Sequence, residues 1–147
     1  MTDAERLDTF MDRYTTAIAR NGREALAKLR TQLPGSVELV SDNYTGLTIG
    51  FGPTKQAGDA VISLTFAPRF IALAFLHAMT LPDPDGLFKG APAAVRTFKL
   101  SKTRTLDDDE VQDMISRAVM ARGGWDPHRH SQMVIKSVSP TQMPRRP

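Results

Sequence analysis

The sequence predicts an α+β domain. The expected architecture is a curved antiparallel sheet of about five strands, with two N-terminal helices and one C-terminal helix packed on one face. Apolar residues recur at helical spacing before residue 33 and again over 111–119. Between residues 37 and 100 they alternate with small or polar residues at period two, and Gly, Pro and Asn-Gly pairs punctuate the changes of period.

The first helix follows from Leu7, Phe10, Met11, Tyr14 and Ile18, which share one face, with Thr2 and Glu5 placed as a capping box at its start. Asn21-Gly22 is expected to break it, with Asn21 and Glu24 capping a second helix whose buried side is Leu26, Leu29 and Leu33; an antiparallel helix pair or one kinked helix satisfies this pattern. Pro34-Gly35 ends that helix. Leu47, Ile49 and Phe51 then alternate with Thr48 and Gly50, and Ile62, Leu64 and Phe66 with Ser63 and Thr65. This alternation suits antiparallel strands buried on one face. Ala67-Pro68-Arg69 reads as a hairpin connection into a strand over Phe70 to Leu76, while Val37 to Ser41 and Val95 to Leu100 supply the two edges. The last helix is expected to open on a Thr105/Asp108 capping box. Val111, Met114, Ile115, Ala118 and Val119 form its stripe, and it stops at Gly123-Gly124.

The chain of 147 residues has room for one ordinary domain: residues 1–122 as the folded part and 123–147 as a basic, proline-containing C-terminal tail, in which Met133 to Val138 can pair as a short strand. The net charge of +3 belongs to that tail, where Arg129, Lys136, Arg145 and Arg146 face only Asp126; residues 1–122 are neutral. Four cations spread over such a tail, even beside Trp125, give weak and salt-sensitive phosphate contacts, so nucleic acid is disfavoured as a partner. With no cysteine, thiolate nucleophiles, Cys-type zinc sites and iron–sulfur clusters are excluded. The longest apolar run, Phe70 to Ala78, is too short to span a membrane, and the start of the chain does not read as a signal peptide, so no membrane partner and a cytoplasmic location are expected.

Leu81-Pro82-Asp83-Pro84-Asp85-Gly86-Leu87-Phe88-Lys89-Gly90, followed by Val95-Arg96 and Phe98-Lys99-Leu100, resembles a signature of the YdhG-like domain-of-unknown-function family. The Leu33-Pro34 to Val37-Glu38 junction is similar to that family's helix-to-strand junction, and Val134 to Ser139 with Pro144 to Pro147 resembles tails found on a subset of its members. The resemblance covers roughly residues 10–122. It implies an α+β fold and little chemistry. Some relatives are described as frataxin-like iron chaperones, which are acidic proteins, whereas this chain is neutral in its folded part and basic in its tail.

The candidate binding residues cluster around the proline-stiffened 81–90 loop. Strand 95–100 places Arg96 on the same side as Phe98 and Leu100, where a guanidinium needs an anionic partner; Asp83 and Asp85 are the nearest along the chain. One outcome is an arginine–aspartate clamp that fixes the loop. The other is a cleft rimmed by Arg69, His77, Asp83, Asp85 and Arg96 that takes a small anion, with Lys99 as helper. Asp109 and Asp113, one helical turn apart in the acidic run from Asp107, are weak candidates for a hard cation, since carboxylates at a helix start also complement its positive end. His128 and His130 read as solvated tail residues.

The sequence therefore points to a non-catalytic module that binds a small ligand or a protein, without a resident cofactor and with a homodimer as an expected assembly. A frataxin-like iron chaperone is the alternative, the only reading with iron, and an enzyme of unrecognised type the second alternative.

Overall fold

The computed structural model describes residues 1–88 and 90–147; Lys89, part of the 81–90 loop, lies outside the described residues. Helix α1 spans Asp3–Asp12 and α2 spans Thr16–Gln32, followed by strands β1 (Val37–Asp42), β2 (Leu47–Gly52), β3 (Ile62–Phe66), β4 (Ile71–Phe75) and β5 (Arg96–Lys99). Helix α3 (Asp109–Ala121) and strand β6 (Gln132–Val138) complete the chain. The six strands form one open sheet in the order β5-β4-β3-β2-β1-β6, antiparallel except for the β1–β6 pair, which is parallel. Among the described residues no helix is long and apolar enough to cross a membrane.

Register explains where the core sits. Ile49 lies opposite Leu64, Leu64 opposite Leu73, and Phe51 opposite Ile62, which faces Phe75 in turn. These side chains line one face and join the buried residues of all three helices in one cluster. The other face carries Thr48, Gly50, Ser63, Thr65, Ala72 and Ala74. The alternation read from the sequence is therefore the alternation of sheet faces.

The helix break lies elsewhere than Asn21-Gly22. Helix α1 ends at Asp12, and Thr15 caps α2 by accepting from the Ile18 amide, so α2 runs unbroken through Asn21 and Gly22. Gly22 is a close-approach residue: an added Cβ would overlap ring carbons Cε2 and Cζ of Phe66 on β3. Gly22 therefore does not break the helix; its missing side chain lets the Phe66 ring pack directly on the helix backbone. Tyr14, in the short link between the helices, pins the same region. Its hydroxyl accepts from the Leu47 amide at 3.0 Å and donates to the Phe66 carbonyl at 3.3 Å. Burial pushes its phenol above the ordinary range, an effect partly offset by the Leu47 amide.

Helix α3 also begins later than its expected capping box. Thr105 sits in a short 3-10 turn, Thr103–Asp107, and Asp108 is the N-cap residue without a side-chain capping bond.

The short strand expected over Met133 to Val138 forms as β6 and brings the sheet to six strands, because the segment after α3 docks on β1. Trp125 Nε1 donates to the Pro34 carbonyl at 3.0 Å, and Arg129 donates to the carbonyls of Gly35 (2.6 Å) and Pro53 (2.7 Å). β6 then pairs along the whole of β1, with a bulge between Val40 and Ser41, so β1 is an interior strand and not an edge. Beyond β6 the chain closes on the end of β1. Arg145 is 4% exposed and its Nη2 lies 3.0 Å from Oδ1 of Asp42, which is 1% exposed. Gln142 Nε2 donates to the other carboxylate oxygen at 2.8 Å, and Arg13 approaches it at 3.5 Å. The Tyr44 carbonyl accepts a further bond from Arg145.

Two stability predictions follow from these contacts. Alanine normally stabilises a helix interior over glycine by about 1 kcal/mol. Gly22→Ala is expected to reverse that sign, lowering stability by about 1–3 kcal/mol through overpacking, and Phe66→Leu in the same chain should recover most of the loss. Denaturant midpoints of the parent and the two variants check this; a Gly22→Ala protein as stable as the parent would sink the close-approach account. Arg145→Ala leaves a carboxylate buried without its main partner and should cost about 3–5 kcal/mol. Hydrogen exchange should show the loss of protection concentrated in β6 and residues 139–146, against little change in β3 and β4.

Candidate functional site

The 81–90 loop is built by its own side chains. Asp83 accepts the Leu87 amide on Oδ1 at 2.8 Å and the Phe88 amide on Oδ2 at 3.0 Å, and Gly86 has φ +64, so the turn at Asp85-Gly86 is closed by a carboxylate that folds back on the backbone. Phe88 is thereby driven into the sheet, edge-on to Phe75 with ring centroids 5.2 Å apart and 6.3 Å from Phe98. Arg96 does not find an aspartate. Its Nη2 donates to the Gly90 carbonyl at 3.2 Å, and its guanidinium carbon lies 4.7 Å from the centre of the Phe88 ring. The expected arginine–aspartate clamp is thus two separate devices, an aspartate-capped turn and a guanidinium on an aromatic face.

The five rim residues do not converge on one cleft. β4 pairs with β5 so that Arg96 is opposite Phe75 while Lys99 is opposite Ala72, which separates Arg96 from the Arg69 turn by the length of the strand pair. Asp85 is exposed on the loop. His77 follows β4 with φ 55, the one non-glycine residue at positive φ among those described, and its Nε2 lies 2.8 Å from the Gly58 carbonyl. It borders a hollow of about 390 Å³ with Leu81, Pro82, Arg117 and Met120, and there Arg117 is already held by Asp113.

Arg69 opens a different hollow, of about 400 Å³, at the other end of β4. Its basic wall is Arg69, from the β3–β4 turn, and Lys99, from the end of β5. Asn21 on α2 and Ser101 just after β5 add an amide and a hydroxyl, while Ile18, Phe70, Ile71 and Leu100 provide apolar surface. Lys99 Nζ sits 4.4 Å from the centre of the Phe70 ring, which fixes the direction of its stem. Among the described residues neither Arg69 nor Lys99 has a carboxylate within salt-bridge distance, in contrast to Arg23, Lys28, Arg30 and Arg117. Two uncompensated cations beside neutral hydrogen-bonding groups and apolar walls suit an oxyanion carried on an apolar body.

The acidic run offers no comparable constellation for iron cargo. Asp113 receives Arg117 at 2.8 Å, and Asp107 receives Lys28 at 2.6 Å. Among the described residues no three His, Asp or Glu side chains gather as a metal-binding group. The Asp109/Asp113 pair therefore does not fit the donor set that a hard cation requires.

Set against family models, curated proteins and solved structures, the chain gives no match. Function must be read from side-chain geometry. Asn21 and Ser101 were missed at the sequence level, Asn21 because it read as a helix breaker; the signal for both is spatial, arising only when α2 lies across the end of β4.

The two loop devices differ in their expected cost. Asp83→Ala removes two capping bonds and should destabilise by about 1–2 kcal/mol, with faster amide exchange over 84–88. Arg96→Met retains an aliphatic stem on Phe88 and should change stability by less than about 1 kcal/mol. If the order of the two variants in a thermal melt is reversed, Arg96 and not Asp83 organises the loop.

Proposed function

We propose that this protein is a YdhG-like domain that serves as a non-catalytic binding module, taking a small anionic ligand in the Arg69–Lys99 hollow. The observation that carries the reading is the juxtaposition, from a turn and a strand end thirty residues apart, of two cations that no carboxylate among the described residues neutralises, in one concavity with Asn21 and Ser101. The ligand class follows from the lining. A carboxylate or phosphate oxygen bonds to Arg69 and Lys99, and an apolar portion rests on Phe70 and Leu100. The hollow is open, so charges there interact through a high effective dielectric, and each contact contributes on the order of 1–4 kcal/mol before desolvation. Affinity for a simple monoanion should then fall near Kd of about 10⁻⁴–10⁻³ M and weaken with salt.

Benzoate and inorganic phosphate are suitable probes. Titration into the labelled protein should shift the amides of Ile18, Asn21, Phe70, Lys99 and Ser101, with benzoate producing the larger effect because it also covers apolar surface. The double variant Arg69→Ala/Lys99→Ala, altered only at exposed positions, should fold normally and lose at least about tenfold in affinity. Shifts that persist unchanged in that variant would overturn the assignment.

A further inference from the structure

A second basic hollow lies on the opposite flank of α2. It has a volume of about 330 Å³ and is lined by Arg20, Arg23 and Arg146, with Asp12, Tyr14 and Thr16. The three guanidiniums come from two distant parts of the chain, and two of them are held in place. Arg23 is bound by Asp12 at 2.6 Å and by Asp8 at 3.4 Å, so its charge is balanced by two of the acids of α1. Arg146 donates through Nε to the Arg13 carbonyl at 3.1 Å, which leaves its two terminal nitrogens for another acceptor. Its backbone is anchored by its neighbour, because Arg145 is buried against Asp42. Arg20, exposed, has no ion-pair or hydrogen-bond partner among the described residues. The hollow thus retains two uncompensated guanidiniums, one on a helix and one on a C-terminal segment that is pinned there by a buried ion pair.

We propose that this hollow is a binding site for the phosphate group of a small phosphate monoester, held between Arg20 and Arg146, with Arg23, already paired to Asp8 and Asp12, as a fixed wall. Guanidiniums match the paired oxygens of a phosphate in a way an ammonium does not, and all three cations here are arginines. The volume exceeds what a lone phosphate fills and leaves space for a short polar body beside Thr16. Pre-positioning of Arg23 and Arg146 lowers the ordering cost of binding. The site shares no lining residue with the Arg69–Lys99 hollow, so the two can fail independently.

Inorganic phosphate, glycerol 3-phosphate and, as an ionic-strength control, chloride are titrated into the full chain, read by amide shifts and by thermal melting. Glycerol 3-phosphate is expected to shift Thr16, Arg20, Arg23 and Arg146 and to bind at least severalfold tighter than inorganic phosphate. Arg20→Ala and Arg146→Ala should each weaken it about tenfold or more, and Arg146→Lys should recover only part of that loss. Arg69→Ala/Lys99→Ala should leave these shifts intact. Equal affinity for the two phosphates would overturn the monoester as ligand. Shifts indifferent to Arg20→Ala and Arg146→Ala, or matched by chloride, would overturn the site. Far-ultraviolet circular dichroism of each variant separates lost binding from lost folding.

Discussion

A single buried carboxylate organises the closing half of this molecule. Asp42 stands at the end of β1 on the core side, opposite Leu47, with 1% of its side chain exposed. A charge so placed is tolerable only when paired and hydrogen-bonded. The chain meets that demand from far away in sequence, with Arg145 and Gln142 on the carboxylate and Arg13 nearby. Arg145 is itself buried and bonded to the carbonyls that follow β1, with only its Nε left unpartnered among the described residues. The pair therefore determines where the C-terminal segment ends, and with it the position of Arg146.

The same logic of close approach sets the helical layer. Gly22 lets Phe66 press against α2, and Tyr14 ties the link before that helix to β2 and β3 through one hydroxyl. With α2 located, its two flanks become two hollows. Ile18 and Asn21 look toward Arg69 and Lys99, while Thr16 and Arg20 look toward Arg146. Both hollows are basic, yet the folded part before residue 123 is neutral. The local imbalance arises because carboxylates pair with other cations, such as Glu38 with Arg30 and Asp107 with Lys28. Local charge imbalance, invisible in the net charge, is the feature that a ligand would sense.

The 81–90 loop, as far as it is described, is braced by its own side chains. Asp83 closes its own turn and Phe88 fills the space over Phe75 and Phe98, so the residues with the strongest motif character stabilise an edge of the sheet. A proline-rich loop with aspartates and a nearby arginine signals ordered backbone. It does not by itself signal a ligand.

The fold class was legible because it rests on local physics. Hydrophobic periodicity dictates which face of each helix and strand is buried, and the Thr2 capping box and Gly123-Gly124 stop act within a few residues. Most elements could be read that way. Gly22 could not, since a glycine that breaks a helix and a glycine that admits an aromatic ring are identical in sequence; only Phe66, far along the chain, distinguishes them. Nor could the sixth strand be assigned with its parallel pairing, because β6 acquires its place from Arg129, Asp42 and Arg145 together. Arg69 and Lys99 could be named from the sequence but were grouped with Arg96, His77 and the 81–90 loop; their separate hollow with Asn21, and that of Arg20 with Arg146, exist only after the sheet has brought strand ends and helix flanks together. Local pattern decided what each segment becomes. Long-range packing decided which charges remain unpaired, because a cation finds or misses its carboxylate only once distant segments are in place.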